Sequence, residues 1–307
     1  MAQPEHDEMS GVETTGHEWD GIKELNNPLP RWWIWTFYIT IAWALVYTIL
    51  FPAWPLIDGA TQGLLGYSSR ANLAQSVQQA QQAQSGNLEK IRTLPLDEIR
   101  GDPALLEFAN AGGRSAFAVN CVQCHGAGAA GAKGYPNLTD DEWLWGGTLD
   151  DIHHTLVHGV RHEADENTRN SEMPAFGRDG LLERAQIADT ADYVLSLSGE
   201  DHDAAAAGRG ATIFAEQCSV CHGANGGGDR AQGAPSLRDA IWLYGGDRAT
   251  IVETITNARR GVMPAWGDKL DEATIKQLTV YVHSLGGGEA SKPAPAASVE
   301  APAAAMP

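Results

Sequence analysis

The chain has 307 residues, 43% of them hydrophobic, with 34 glycines and a formal net charge of −18; that suits two small domains with further segments around them. Residues 1–31 carry seven acids against Lys23 and Arg31, contributing −5 of that charge and leaving −13 for the rest. So acidic a balance argues against nucleic acid, whose phosphates demand Lys and Arg. It equally serves solubility or the steering of a basic protein partner.

Residues 1–31 read as an acidic N-terminal arm. Residues 32–51, Trp32 to Phe51, are 20 consecutive residues without a charge, enough to cross a hydrocarbon core of roughly 30 Å as a helix. Trp32, Trp33 and Trp35 crowd one end and Trp54 lies beyond the other, as interfacial aromatics do. Pro52 and Pro55 end the helix. The flanks lack the basic start and small-residue cleavage site of a signal peptide, so the segment is expected to stay as an anchor. Thr36, Thr40, Ala44 and Thr48 form a small-residue stripe that lets another transmembrane helix come close. Residues 52–107 read as a helical spacer, rich in Ala and Gln over 71–93, with Pro95 and Pro103 marking the turn into the first domain.

Next come two copies of one phrase, Cys121-Val122-Gln123-Cys124-His125 and Cys218-Ser219-Val220-Cys221-His222, which together use all four cysteines. Cys-x-x-Cys-His is the attachment signature of c-type haem. Two thiols one helical turn apart reach the two vinyl groups, and the adjacent imidazole lands under the iron. A four-cysteine zinc site wants its pairs about 15–20 residues apart, whereas these lie 97 apart and each is followed by His. Two covalently attached haem c groups are therefore expected, on Cys121 and Cys124 and on Cys218 and Cys221, with His125 and His222 as axial ligands. Haem ligation of this kind needs reduced thiols at an oxidising, extracytoplasmic face.

The motifs sit in an internal repeat. Phe117 and Phe214 precede them by equal distances. Gly134 to Leu138 answers Gly233 to Leu237, Trp143 to Gly147 answers Trp242 to Gly246, and Ile152 answers Ile251. Met173-Pro174-Ala175-Phe176-Gly177 answers Met263-Pro264-Ala265-Trp266-Gly267, and Tyr193 to Leu197 answers Tyr281 to Leu285. The first copy holds nine extra residues between Thr155 and Met173, read as a longer loop around 161–172. Each copy reads as a helical haem domain, at 108–199 and 208–287, with Gly199 to Gly210 as the link and 288–307 as a disordered tail. The pattern resembles class I cytochrome c. The expected fold class is all-α, one N-terminal transmembrane helix followed by two tandem domains of that kind.

Of the five methionines, only Met173 and Met263 fall within the copies, at matched positions before a proline. They are the expected sixth ligands, each serving its own copy or the other's iron. Pro136 and Pro235 match the proline that orients the proximal imidazole in the cytochrome c pattern. His154, His158 and His162 stand four apart and on a helix would share a face that could bind metal, but Glu253 and Asn257 replace the first two in the second copy, so a solvated surface is expected.

The order of parts is specific. An acidic arm, one transmembrane helix, Gly66-Tyr67-Ser68-Ser69-Arg70 just after it, an Ala/Gln-rich spacer and two cytochrome c domains resemble subunit III, the dihaem CcoP/FixP subunit, of cbb3-type cytochrome c oxidases. The resemblance implies an electron-transfer subunit without catalytic residues of its own, in a proton-pumping terminal oxidase of bacterial inner membranes. It implies a donor cytochrome c, and a monohaem subunit and a haem–copper catalytic subunit as partners. The N-terminus is then cytoplasmic and the haem domains periplasmic. Two other readings fit less well: a free tethered carrier like cytochrome c4, and a dihaem peroxidase, which needs an iron lacking its sixth ligand.

Overall fold

The computed structural model describes residues 5–290, and the chain divides into two compact units that part between Ala83 and Gln84. In the first unit Thr14–Trp19 (β1) and Ile22–Leu25 (β2) form an antiparallel hairpin. Its turn is Asp20-Gly21, both at positive φ, the backbone that a two-residue hairpin loop demands. Helix α1 spans Arg31–Leu50 and buries none of its residues. Among the described residues it is the one helix long and apolar enough to cross a membrane. Thr36, Thr40 and Thr48 donate their hydroxyls to carbonyls one turn back, at 2.9, 2.8 and 2.9 Å, so the stripe presents no unsatisfied donor to lipid. A second small hairpin follows, Pro55–Leu56 (β3) with Gly59–Ala60 (β4). Helix α2, Ser69–Thr93, begins in this unit. The first unit thus adds strands that the arm expectation did not contain.

The second unit is helical: the end of α2, then Leu96–Gly101 (α3), Pro103–Asn120 (α4), Val122–His125 (α5), Leu149–His158 (α6), Arg184–Ser198 (α7), Ala204–Gln217 (α8), Ser219–His222 (α9), Arg248–Asn257 (α10) and Glu272–His283 (α11). Aspartates set several of the starts. Asp102 accepts from the amides of Ala104 and Leu105, Asp203 from Ala205 and Ala206, and Asp271 from Thr274, each satisfying donors the helix leaves orphaned.

These helices do not pack in the order in which the copies run. Gly199 ends α7 in a left-handed conformation, φ 78°, and Asp203 already caps α8. The expected link of 199–210 is therefore only the stretch up to Asp203. So short a connection makes its two helices antiparallel neighbours. α7, the closing helix of the first copy, lies along α8, the opening helix of the second. α4 then receives α11, the closing helix of the second copy. A glycine marks each crossing: a Cβ on Gly113 would lie 2.3 Å from the Gln277 carbonyl oxygen, and one on Gly210 2.0 Å from that of Asp189. Only glycine permits backbones that near. Phe117 meets Tyr281 with ring centroids 5.6 Å apart, and Phe214 meets Tyr193 at 5.1 Å.

Two packing modules result, each made from parts of both copies. The first combines α4, α5, α6 and α11; the second combines α7, α8, α9 and α10. Part of the expected spacer belongs to the first module as well. Ile91 of α2 and Leu96 and Ile99 of α3 are buried with Leu105, Leu149 and Val280. The expected tail likewise starts later than residue 288. Glu289 donates its amide to the Gly147 carbonyl at 2.8 Å, accepts from the Gly147 amide on its carboxylate at 2.9 Å, and pairs with Arg230. The remainder of the tail, from residue 291, lies outside the described residues.

Candidate haem-binding sites

In each copy a long helix runs straight into the motif. α4 leads to Cys121 and α5 carries Cys124 and His125; α8 leads to Cys218 and α9 carries Cys221 and His222. The chain then doubles back beneath the imidazole. Gly131 donates to the His125 carbonyl at 2.9 Å and Gly228 to the His222 carbonyl at 2.8 Å. Each of these glycines touches the returning strand of loop: a Cβ would sit 2.4 Å from the Tyr135 carbonyl oxygen or 2.6 Å from that of Ala234.

That closure brings the Pro136 carbonyl 3.0 Å from His125 Nδ1 and the Pro235 carbonyl 3.1 Å from His222 Nδ1. A carbonyl only accepts, so each Nδ1 carries the proton and each Nε2 keeps its lone pair for a metal. Burial holds both imidazoles below the usual histidine pKa, with the proline carbonyl opposing it in part. Both rings are thus neutral, as ligation requires. Burial, and then the neighbouring cysteine, push the Cys121 and Cys218 thiols up to about 11, so neither is an ionised nucleophile at neutral pH.

Each methionine loop lies beside the motif of the other copy. Met263 packs with the cluster of Phe117, Cys121, Ile152 and Leu278, and Met173 with Phe176, Phe214, Ile251 and Cys218. Matched hydrogen bonds dock the loops. Phe176 and Gly177 donate to the Ile255 and Thr256 carbonyls, both at 3.1 Å, and Trp266 and Gly267 to those of Leu156 and Val157 at 3.0 and 3.1 Å. A cleft beside the second motif gathers Met173, Cys218, Cys221 and His222 within apolar walls from Phe176, Val194, Phe214, Leu237, Trp242 and Ile255. Arg161, Arg259 and Arg260 also line it. Two thiols, an imidazole with a free Nε2, a thioether, apolar walls and cationic side chains make a donor set that fits a c-type haem with its two carboxylates.

The repeat also held residues not singled out from sequence. Arg169 lies 5.5 Å from the Trp145 ring centre and Arg259 4.8 Å from that of Tyr244, within cation–π range. Arg169 donates from Nε to Thr155 Oγ1 at 2.9 Å and from Nη2 to the Asp151 carbonyl at 3.1 Å; Arg259 donates to Thr254 Oγ1 at 3.2 Å and to the Thr250 carbonyl at 2.8 Å. Each stands four residues before its methionine, a spacing open to reading. His158 hydrogen-bonds Asp165 at 3.0 Å and lies against His154, ring centres 4.7 Å apart.

Three family descriptions match the chain in order. They are the N-terminal domain of cytochrome oxidase-cbb3, FixP, over residues 11–58; cytochrome c over 111–198; and cytochrome c oxidase, cbb3-type, subunit III, over 205–282. A cbb3-type cytochrome c oxidase subunit CcoP of Cereibacter sphaeroides is 56% identical over 276 residues, covering 90% of this chain and 95% of the relative. The chain belongs to the CcoP/FixP family. A CcoP of Azospirillum brasilense is 56% identical over 296 residues, with 94% and 100% covered, and a FixP of Azorhizobium caulinodans is 55% identical over 284, with 92% and 96% covered. As a CcoP/FixP chain it is a cytochrome c electron-transfer subunit of a cbb3-type oxidase. Its cytochrome c domains imply haem c, and α1 fits a single-pass anchor for a membrane-bound complex.

Proposed function

We propose that this chain carries two haem c groups and relays electrons from a donor cytochrome c, through a monohaem subunit, towards the haem–copper catalytic subunit of the oxidase. Cys121 and Cys124 attach one group, and Cys218 and Cys221 the other. His125 with Met263 would hold one group and His222 with Met173 the other, so each haem would be held by residues of both copies. When bound, the haem supplies a one-electron couple whose potential His–Met ligation raises.

The chain's own residues prepare that couple. Pro136 and Pro235 fix the proton and the orientation of each imidazole. Phe117 and Phe214, both buried, keep water from the cores. Arg161, Arg259 and Arg260 suit the haem carboxylates at the second site. A haem held by both a histidine and a methionine would leave no site for oxygen or peroxide, and the chain would act as a relay without catalytic residues of its own. Covalent attachment outside the cytoplasm orients the anchor: N-terminus in the cytoplasm, both modules in the periplasm of a bacterial inner membrane. The acidic charge of the chain then serves a basic donor.

One observation carries this reading: each motif imidazole is held at Nδ1 by a proline carbonyl, and the first cysteine of each motif shares a core with a methionine of the other copy. Mass spectrometry of the native membrane complex tests it. The expected result is this polypeptide plus two haem masses, in company with oxidase subunits. A bare polypeptide mass, or a chain that purifies alone, overturns it. Added salt is expected to slow reduction by a basic cytochrome c, because it screens the steering field.

A further inference from the structure

The two methionine loops meet at one side chain. Arg161 stands in the stretch by which the first copy exceeds the second, between Thr155 and Met173. Its backbone is left-handed, φ 53°, a conformation that a residue with a Cβ rarely adopts. The surrounding hydrogen bonds hold it there. Its amide donates to the Arg169 carbonyl at 2.8 Å, closing the extra loop, and Val160 beside it exchanges two backbone bonds with Met263, both 3.0 Å.

The half-buried guanidinium then spans the two loops. Nε donates to the Gly261 carbonyl at 2.7 Å and Nη1 to the Ser171 carbonyl at 3.0 Å. Gly261 lies two residues before Met263, and Ser171 two residues before Met173. One rigid fork therefore grips the equivalent carbonyl of both loops. A lysine, a point donor on a flexible stem, does not reproduce that span. Arg260 is different: it pairs with Glu172, next to Met173.

We infer that Arg161 is a positioning residue for both sixth ligands at once, a brace through which one side chain steadies the sulfur at either haem. The inference rests on the axial pairing proposed above. A guanidinium taken partly out of water stays only where its donors are satisfied, so the brace holds when both loops are in place and loosens both when it is removed.

The test uses the full-length chain loaded with haem. It records the weak absorption band of the methionine–ferric iron bond and a redox titration that resolves the two haems. Met173→Leu and Met263→Leu mark the two sites, each expected to remove one haem's share of the band and lower one midpoint. Arg161→Gln is expected to weaken the band at both haems and lower both midpoints, with helix content by circular dichroism unchanged. Arg260→Gln is expected to shift only the midpoint marked by Met173→Leu. Arg161→Lys is expected to show the double shift at smaller size, and it decides the matter if Arg161→Gln fails to accumulate. Midpoints unchanged in the Arg161 variants, or only one of them shifted, overturn the brace. If a methionine variant leaves its band and midpoint intact, the axial assignment falls and the brace with it.

Discussion

The two modules share one plan and differ in charge at one matched pair of core positions. Val280 on α11 corresponds to Asp192 on α7, and Leu149 on α6 to Arg248 on α10. In the first module the pair is apolar and buried. In the second it is an ion pair, Nη2 to Oδ2 2.6 Å, with the Asp192 side chain 3% exposed and that of Arg248 52%. The cause lies outside the pair. Ile91 of α2 and Ile99 of α3 cover the first module at this point. The second has only the short link ending at Asp203 before α8, so its guanidinium keeps one edge in water. The cost of drying then falls mainly on the carboxylate. One fold accepts a salt bridge where no helix roofs it and demands hydrocarbon where one does.

Transplanting the pair puts this contrast under the greatest load. Val280→Asp with Leu149→Arg is expected to destabilise the first module by about 5 kcal/mol, since both charges are sealed beneath α2 and α3. A loss in thermal unfolding of under about 1 kcal/mol discards the roof explanation. Arg248→Leu strands a dry carboxylate and is expected to cost about 3 kcal/mol. Asp192→Val leaves an arginine that can turn to solvent and costs about 1 kcal/mol. The double change is expected to be close to neutral, which a melt of all three variants checks.

Gly113→Ala and Gly210→Ala probe the shared plan instead. Both put a Cβ against a carbonyl and should each cost about 2 kcal/mol, one in each module. A large difference between them means that the crossings are not equivalent.

Acid separates the modules too. Hydrogen bonds from Arg248 hold the Asp192 carboxyl below the usual carboxylate range, burial opposing in part. Its contribution is present above the unfolded pKa of about 3.9 and disappears as pH falls through the lower folded value. Unfolding followed against pH should therefore show the second module weakening below about pH 4, and the Asp192→Val, Arg248→Leu double variant should lose the share of that slope due to Asp192. The smallest effect is expected from Glu289→Gln, about 0.5 kcal/mol for a partly exposed pair with Arg230. A melt indistinguishable from that of the unaltered chain would show that Glu289 does not hold the end of the described chain in solution.

Much of this was legible in the sequence. The apolar helix, the helical Cys-x-x-Cys-His turns and the proline carbonyls at both imidazoles follow from spacing, because local chemistry dictates each of them. The crossing of helices did not follow, although its cause was present. Asp203 is a cap signal four residues past Gly199, and it shortens the link enough to force α7 onto α8. Reading 199–210 as loose hid that constraint. Arg161 was passed over for a different reason. Its role comes from two carbonyls at equivalent points of two separate loops, and a main-chain acceptor leaves no mark on residue type.

The interleaving also fixes the order in which the molecule is completed. Met173 and the four helices of the second module lie in one unbroken stretch, up to Asn257, nested inside a first module whose final pieces, Met263 and α11, come last. A polypeptide emerging N-terminus first displays its earlier Cys-x-x-Cys-His turn with an unfinished core while the later one is already enclosed. A chain cut short within α11 therefore loses part of the core of the first module and keeps the helices of the second whole.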